Sequence, residues 1–283
     1  MKRLTFLIVS LFGMLVGIRA QESAEPATAA CPVTSVERTM LFGVGRERLQ
    51  DTYLSPLHFG GPSVSLTMLT ERPTHWGRGR VDVLARYDVL AASTESSSGT
   101  TDIWDVQGTA SAGLLWHVGG DRLSSRHLRL RLGGLAELTG GGSWHSANGN
   151  NPGQARLAAD LAFAADLTYT FRVRRSHWQA RALLTMPIVG AAFSQQYGES
   201  YYELFDLGHR DHNVRPTWPG NSPSPRLLAT LSIPVRHSQF TLGYNLDVRQ
   251  SRLNHLTRHA WSQQFVIGFT RRLCLLPASH GRN

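Results

Sequence analysis

A two-residue alternation of apolar and polar positions runs through most of the chain. Phe240, Leu242, Tyr244, Leu246 and Val248 are apolar, and Thr241, Gly243, Asn245, Asp247 and Arg249 separate them. A strand sends successive side chains to opposite faces, so one face here is greasy and the other polar or charged. After a polar loop, Trp261, Phe265, Ile267 and Phe269 share a face opposite Ser262, Gln264, Gly268 and Thr270. The same pattern recurs over 36–44, 63–71, 80–91, 102–118, 127–138, 157–171, 177–188 and 225–235. It predicts about ten strands, most of them longer than the ~5–6 residues usual in globular sheets.

A greasy strand face fits either the core of a soluble sandwich or the lipid side of a membrane barrel. Three features favour the barrel. The strands are long. Short turns near 72–79, 119–126, 174–176 and 236–238 alternate with longer loops at 46–62, 93–101, 140–153, 190–224 and 251–258. Aromatic residues (Trp104, Trp116, Tyr169, Phe171, Trp178, Tyr244, Trp261, Phe269) fall towards strand ends, where interfacial girdles sit. The expected fold is an all-β, antiparallel transmembrane barrel over 36–273, with both termini periplasmic. About ten strands are expected, or about twelve if the 190–224 loop hides a further hairpin.

The opposite face carries both signs of charge: Arg80, Asp82, Arg86, Asp88, Asp160, Asp166, Arg181, Asp247 and Arg249, with Asp105, Arg129, Arg131 and Arg226 beside them. A barrel this narrow is far below the ~16–18 strands that leave an aqueous channel. Ion pairs and small residues are therefore expected to fill the lumen, and a narrow transport pore is the second alternative.

Lys2 and Arg3 precede an apolar run from Leu4 to Ile18, and Ala20 offers a cleavage site. This is the layout of a cleaved secretory signal peptide over 1–20, followed by a short periplasmic segment over 21–35. A C-terminal tail covers 274–283. Lys2, Arg3 and Arg19 would leave with the signal, lowering the formal net charge from +9 to +6. Lys2 is the one lysine, so the remaining chain has no side-chain amine for Schiff-base chemistry. The basic residues do not gather into a run with interleaved aromatics, and nucleic acid is not an expected partner. Cys31 and Cys274 flank the patterned region, and in a closed barrel the first and last strands are neighbours. An oxidising compartment permits a disulfide between them.

The motif Asp51-Thr52-Tyr53-Leu54-Ser55-Pro56-Leu57 resembles a signature of an outer-membrane β-barrel family of unknown function from Bacteroides-type bacteria. The resemblance continues over Tyr197–Gly208, then at Asp247–Ser251, Asn254, His259–Ser262 and Phe265–Phe269. It implies location and architecture and carries no reaction or catalytic residue with it.

The densest functional-group chemistry lies on the expected outer loops. Tyr53, Tyr201, Tyr202 and Glu203 are candidate binding or loop-packing residues. An outer-membrane hydrolase of lipid or peptide would need a histidine base, a carboxylate to orient it and a nucleophile. His212 with Asp211 or Asp51, and Ser200, are the candidates for those roles. There is no G-x-S-x-G or H-E-x-x-H motif, and neither a metal nor a cofactor is expected. The leading reading is an envelope or surface binding or structural protein, monomeric, embedded in outer-membrane lipid and meeting an envelope or surface ligand at its mouth.

Overall fold

A computed structural model describes residues 35–118, 127–149, 151–208, 212–235 and 238–274. The expected signal peptide, the segment up to residue 34, Cys31, Asp211, the tail beyond 274 and the Cys274 side chain lie outside the described part. Within it are eleven strands: β1 Ser35–Asp51, β2 Ser55–Pro73, β3 Val81–Ser96, β4 Asp102–Val118, β5 Leu128–His145, β6 Gly153–Val173, β7 Ser176–Phe193, β8 Val214–Thr217, β9 Arg226–Val235, β10 Ser238–Leu253 and β11 Leu256–Cys274. All pairings are antiparallel, and β1 pairs with β11 from Ser35↔Cys274 to Asp51↔Arg258. With β6 paired to β7, ten strands close a barrel and β8 is the extra one. Closure joins the first strand to the last, so apart from a short interruption on one side of β7 the backbone is paired as a strand structure in hydrocarbon requires.

The outward side chains make the wall greasy. Phe265 is 74% exposed, Leu138 65% and Leu161 60%. Trp104, Trp116, Trp144, Tyr169 and Trp261 are also exposed on this surface.

The strands run further than the alternation suggests. The stretch 46–62 is almost all strand, with only Thr52, Tyr53 and Leu54 between β1 and β2. Its outward positions turn polar (Arg46, Arg48, His58), so the greasy row stops while the ladder continues. β5 runs on through the first part of the 140–153 stretch, to His145, and Gly141 fits there because a Cβ would stand 2.3 Å from the Val106 carbonyl oxygen. The 251–258 stretch shrinks to a two-residue turn, Asn254-His255, with both φ values positive (50° and 63°). Only the connection between β7 and β9 is long. Among its described residues it holds one further strand, β8, paired antiparallel with β7, and a one-turn helix, Tyr201–Phe205.

This connection also interrupts the wall. The β7–β9 register ends at Thr185↔Arg226, and β7–β8 pairing starts at Gly190↔Thr217. Residues 186–189 have no partner strand on that side, and the β6–β7 register shifts beside them, between Leu161 and Ala162. The facing segment contains Pro219, Pro223 and Pro225 and attaches to β10 instead. Asn221 and Pro225 carbonyls accept from the Arg252 and Val248 amides at 2.7 and 3.1 Å. Proline brings no donor to a ladder, so the stretch is poorly suited to pairing with β7.

At the closing pair, a Cβ on Gly268 would lie 1.8 Å from the Met40 carbonyl oxygen, and one on Gly45 1.9 Å from that of Gln263. The Gly268→Ala variant should lose about 1–3 kcal/mol through this overpacking. The Gly60→Ala variant, with its nearest atom at 3.8 Å, should be near neutral. Thermal unfolding followed by gel mobility of heated and unheated samples would check both.

Candidate functional site: a sealed lumen with a roofed mouth

The inward face is organised in tiers, counted from the end where β1 begins. In the first tier Arg131 donates to Asp82 and Glu71, each at 2.7 Å, and to Asp166. Arg181 bonds Asp166 at 2.7 Å and also Glu71. His117 Nε2 lies 2.8 Å from Asp82. The second charged tier joins Arg86 to Asp88 at 2.7 Å and Arg226 to both Asp88 and Glu137. Arg86 and Arg131 are each about 1% exposed. A guanidinium buried so deeply needs its carboxylates, and its planar fork can bond two at once.

Between these tiers lies an apolar ring: Leu41, Leu69, Leu84, Leu115, Leu135, Leu183, Leu228 and Val266, with Ala162 and Ala164. These side chains share the inward face with the charges and pack as one buried cluster. The alternation pointed to ion pairs and small residues and missed this ring. Its signal was present, because Leu41, Leu84, Leu115 and Leu183 interrupt the polar row.

The third tier sits near the far end. Arg249 donates to Glu47 at 2.6 Å, Asp105 at 3.0 Å and Gln107 at 2.9 Å. Arg156 bridges Asp105 and Asp51 at 2.8 Å each, and Arg258 reaches Asp105 at 3.2 Å. A chamber of about 140 Å³ touches both this tier and the second, bordered by Asp160, Thr217, Ser224, Arg226, Asp247 and Arg249. At roughly 30 Å³ per molecule it has room for a few waters.

The connection between β7 and β9 roofs the mouth. The Tyr53 hydroxyl donates to the Glu199 carbonyl at 3.0 Å and accepts from Gln195 Nε2 at 3.2 Å. The Tyr201 hydroxyl accepts from the Ala155 amide. Ser200 caps the one-turn helix: its Oγ accepts from the Glu203 amide at 3.2 Å, and the Glu203 carboxylate takes the Ser200 amide at 2.7 Å. This capping box is legible in the S-x-x-E spacing.

A family model described as a protein of unknown function, DUF3316, matches residues 4–280. The chain belongs to this family. No curated protein matches it. Solved structures to which the chain is similar include the outer membrane protease OmpT from Escherichia coli (TM-score 0.41, 6% identity, 89% of this chain and 100% of that one). Another is the transport unit of the autotransporter AIDA-I from Escherichia coli (TM-score 0.41, 8% identity, 91% and 97%). A third is Ail, the attachment invasion locus protein of Yersinia pestis, in complex with the heparin analogue sucrose octasulfate (TM-score 0.34, 11% identity, 83% and 98%).

The candidate residues of this DUF3316 chain take varied places. Asp82, Arg86, Asp88, Asp166, Arg181 and Arg249 lie in the ion-pair tiers. Asp247 lies 3.8 Å from Arg249 and borders the chamber. Arg80 does not join them: it is exposed in the turn after Trp76–Arg78, where its amide bonds the Trp76 carbonyl at 3.2 Å. The even-position rule fails there because the strand starts only at Val81. Asp160 accepts from the Thr217 hydroxyl at 2.7 Å and has no arginine partner within 4.0 Å among the described residues.

A hydrolase triad does not assemble from the described residues. The Ser200 hydroxyl donates to Glu203 at 3.0 Å, Asp51 is engaged by Arg156, and neither bonds a histidine. His212 stands in an outer cleft away from both, with Asn254 Nδ2 donating to its carbonyl at 3.0 Å. Tyr202 is 62% exposed on the roof.

Two outcomes follow. Arg249→Ala strands Glu47, whose bonded partner is Arg249, and should cost about 3–5 kcal/mol in denaturant unfolding. The apolar pair Arg249→Met with Glu47→Leu should cost markedly less. The Tyr53 phenol is pushed up to about 12, mainly by burial, with Tyr201 and Glu199 nearby adding to it. An unfolded phenol ionises near ~10, so the roof contact is complete below that pH and lost as pH rises through 12. Proteolysis of the roof should accelerate across this window, and Tyr53→Phe should flatten the dependence.

Proposed function

We propose that this protein is an integral outer-membrane barrel that acts as a closed scaffold for binding at the outer surface. Its chain enters and leaves on the periplasmic side, and the roofed mouth faces outward. The greasy outer wall supports residence in lipid, and the long connection and the polar mouth support a surface role. Outer-membrane lipid is its constant partner, a monomer is its working state, and an envelope or surface molecule is its ligand.

The observation that carries this reading is the leucine ring between two charged tiers. An ion crossing the lumen would have to shed water at Leu84, Leu115 and Leu183 and displace arginines already held by carboxylates. A ring of this kind resists wetting, and the charge pairs resist rearrangement. The pore alternative therefore has little support. The hydrolase alternative lacks an assembled nucleophile and base among the described residues.

Reconstituted in a planar bilayer, the full protein should show no steady single-channel conductance. Reproducible unitary currents from wild-type protein would refute the closed scaffold.

A further inference from the structure

A second recess opens on the outer side of the roof. It is a cleft of about 600 Å³ lined by Gln196, Tyr197, His212, Arg215, Arg252, Asn254 and His255. Among the described residues its lining contains two guanidiniums and two imidazoles and no carboxylate. The lumen arginines of the three tiers are held by acids, whereas neither Arg215 nor Arg252 has a carboxylate within 4.0 Å among the described residues. The nearby Glu199 is turned into the roof, where its carboxylate accepts from the Gln196 amide at 2.9 Å and from Asn213 Nδ2 at 2.7 Å.

The cleft is also held in an uncommon backbone shape. His212, Asn254 and His255 have φ of 65°, 50° and 63°. Left-handed conformations cost non-glycine residues free energy and persist where the surroundings hold them. Asn254 supplies that hold: its Nδ2 donates to the Ser194 carbonyl at 2.9 Å and to that of His212 at 3.0 Å. One side chain thus ties the β10–β11 turn to the roof and sets His212 and His255 on the same recess. A glycine at position 255 would relax the turn; a histidine there retains a polar donor at the cleft.

We infer that this cleft binds a phosphorylated anion. Arg215 and Arg252 would grip the phosphate oxygens through their planar forks, with the His212 and His255 rings and the Tyr197 hydroxyl as further donors. The volume accommodates a phosphate with an attached sugar, within the ~300–1,000 Å³ of small-ligand sites. Such a group can come from a phosphorylated glycolipid of the surrounding leaflet or from a soluble phosphorylated molecule. The glycolipid source rests on the outward orientation proposed above, and the anion site itself does not.

The test uses the full protein in nanodiscs of phosphatidylcholine, with inorganic pyrophosphate as the soluble probe in calorimetry. Parallel discs doped with a diphosphoryl lipid A report the membrane source through thermal stabilisation. Wild type should bind pyrophosphate saturably, and the double variant Arg215→Gln with Arg252→Gln should weaken it at least tenfold. Stabilisation by the glycolipid that the double variant also loses assigns the membrane source. Pyrophosphate binding without it assigns a soluble ligand and keeps the site. His255→Gly guards against misfolding: it should leave the melting temperature equal or higher while weakening pyrophosphate several-fold. Absence of pyrophosphate binding by wild type, or binding undiminished in folded variants, overturns the inference. Bilayer currents alongside intact pyrophosphate binding would refute the closed scaffold and leave this site standing.

Discussion

Charge compensation inside a narrow tube is the constraint on which this structure turns. A guanidinium removed from water needs carboxylates at hydrogen-bond distance, and no solvent can replace them cheaply. Arg131 meets Glu71, Asp82 and Asp166, which come from three different strands. Arg249 and Arg156 share Asp105 across the mouth half. A one-residue slip of any of these strands would turn its charges outward into the greasy wall. The tiers therefore fix register as well as fill space, and the registers in turn set the height of the leucine ring.

The outside imposes the complementary demand. Backbone groups facing hydrocarbon must be paired, so the first and last strands must meet along their whole length. Gly45 and Gly268 permit that approach, since any side chain there would press on the neighbouring carbonyl. Wall and lumen are thus solved together, with small residues where backbones crowd and large paired ones where the tube is wide.

Much of this was legible in the sequence. Period-two alternation reports which side chains share a face, and it grouped Phe265, Ile267 and Phe269; strand length and loop rhythm were needed to point that face at lipid. It lost the strand extensions because residues such as Arg46 and Arg48 stand where the outward row turns polar, and polarity then resembles a loop. It also undervalued leucines on the polar face, which look like noise until the ring is seen whole. Ion-pair partners were out of reach, because Glu47 and Arg249 are separated by 202 positions and only the folded register brings them together. The outer cleft was hidden for another reason: its character comes from left-handed backbone at His212 and His255, and no local residue pattern announces it. The Ser200 and Glu203 spacing was visible, but its meaning as a helix cap depends on what surrounds it.

The interruption between β7 and β9 bears on the mechanics of the whole. Along every other junction the two ladders share long registers, so those strands deform together as a continuous plate. At residues 186–189 the plate has a free margin, faced by a proline-bearing segment fastened to β10. Bending or swelling of the tube will concentrate along that margin, much as a curled sheet yields first where its latch is shortest. The barrel is a closed ring in topology and, elastically, a ring with one compliant link.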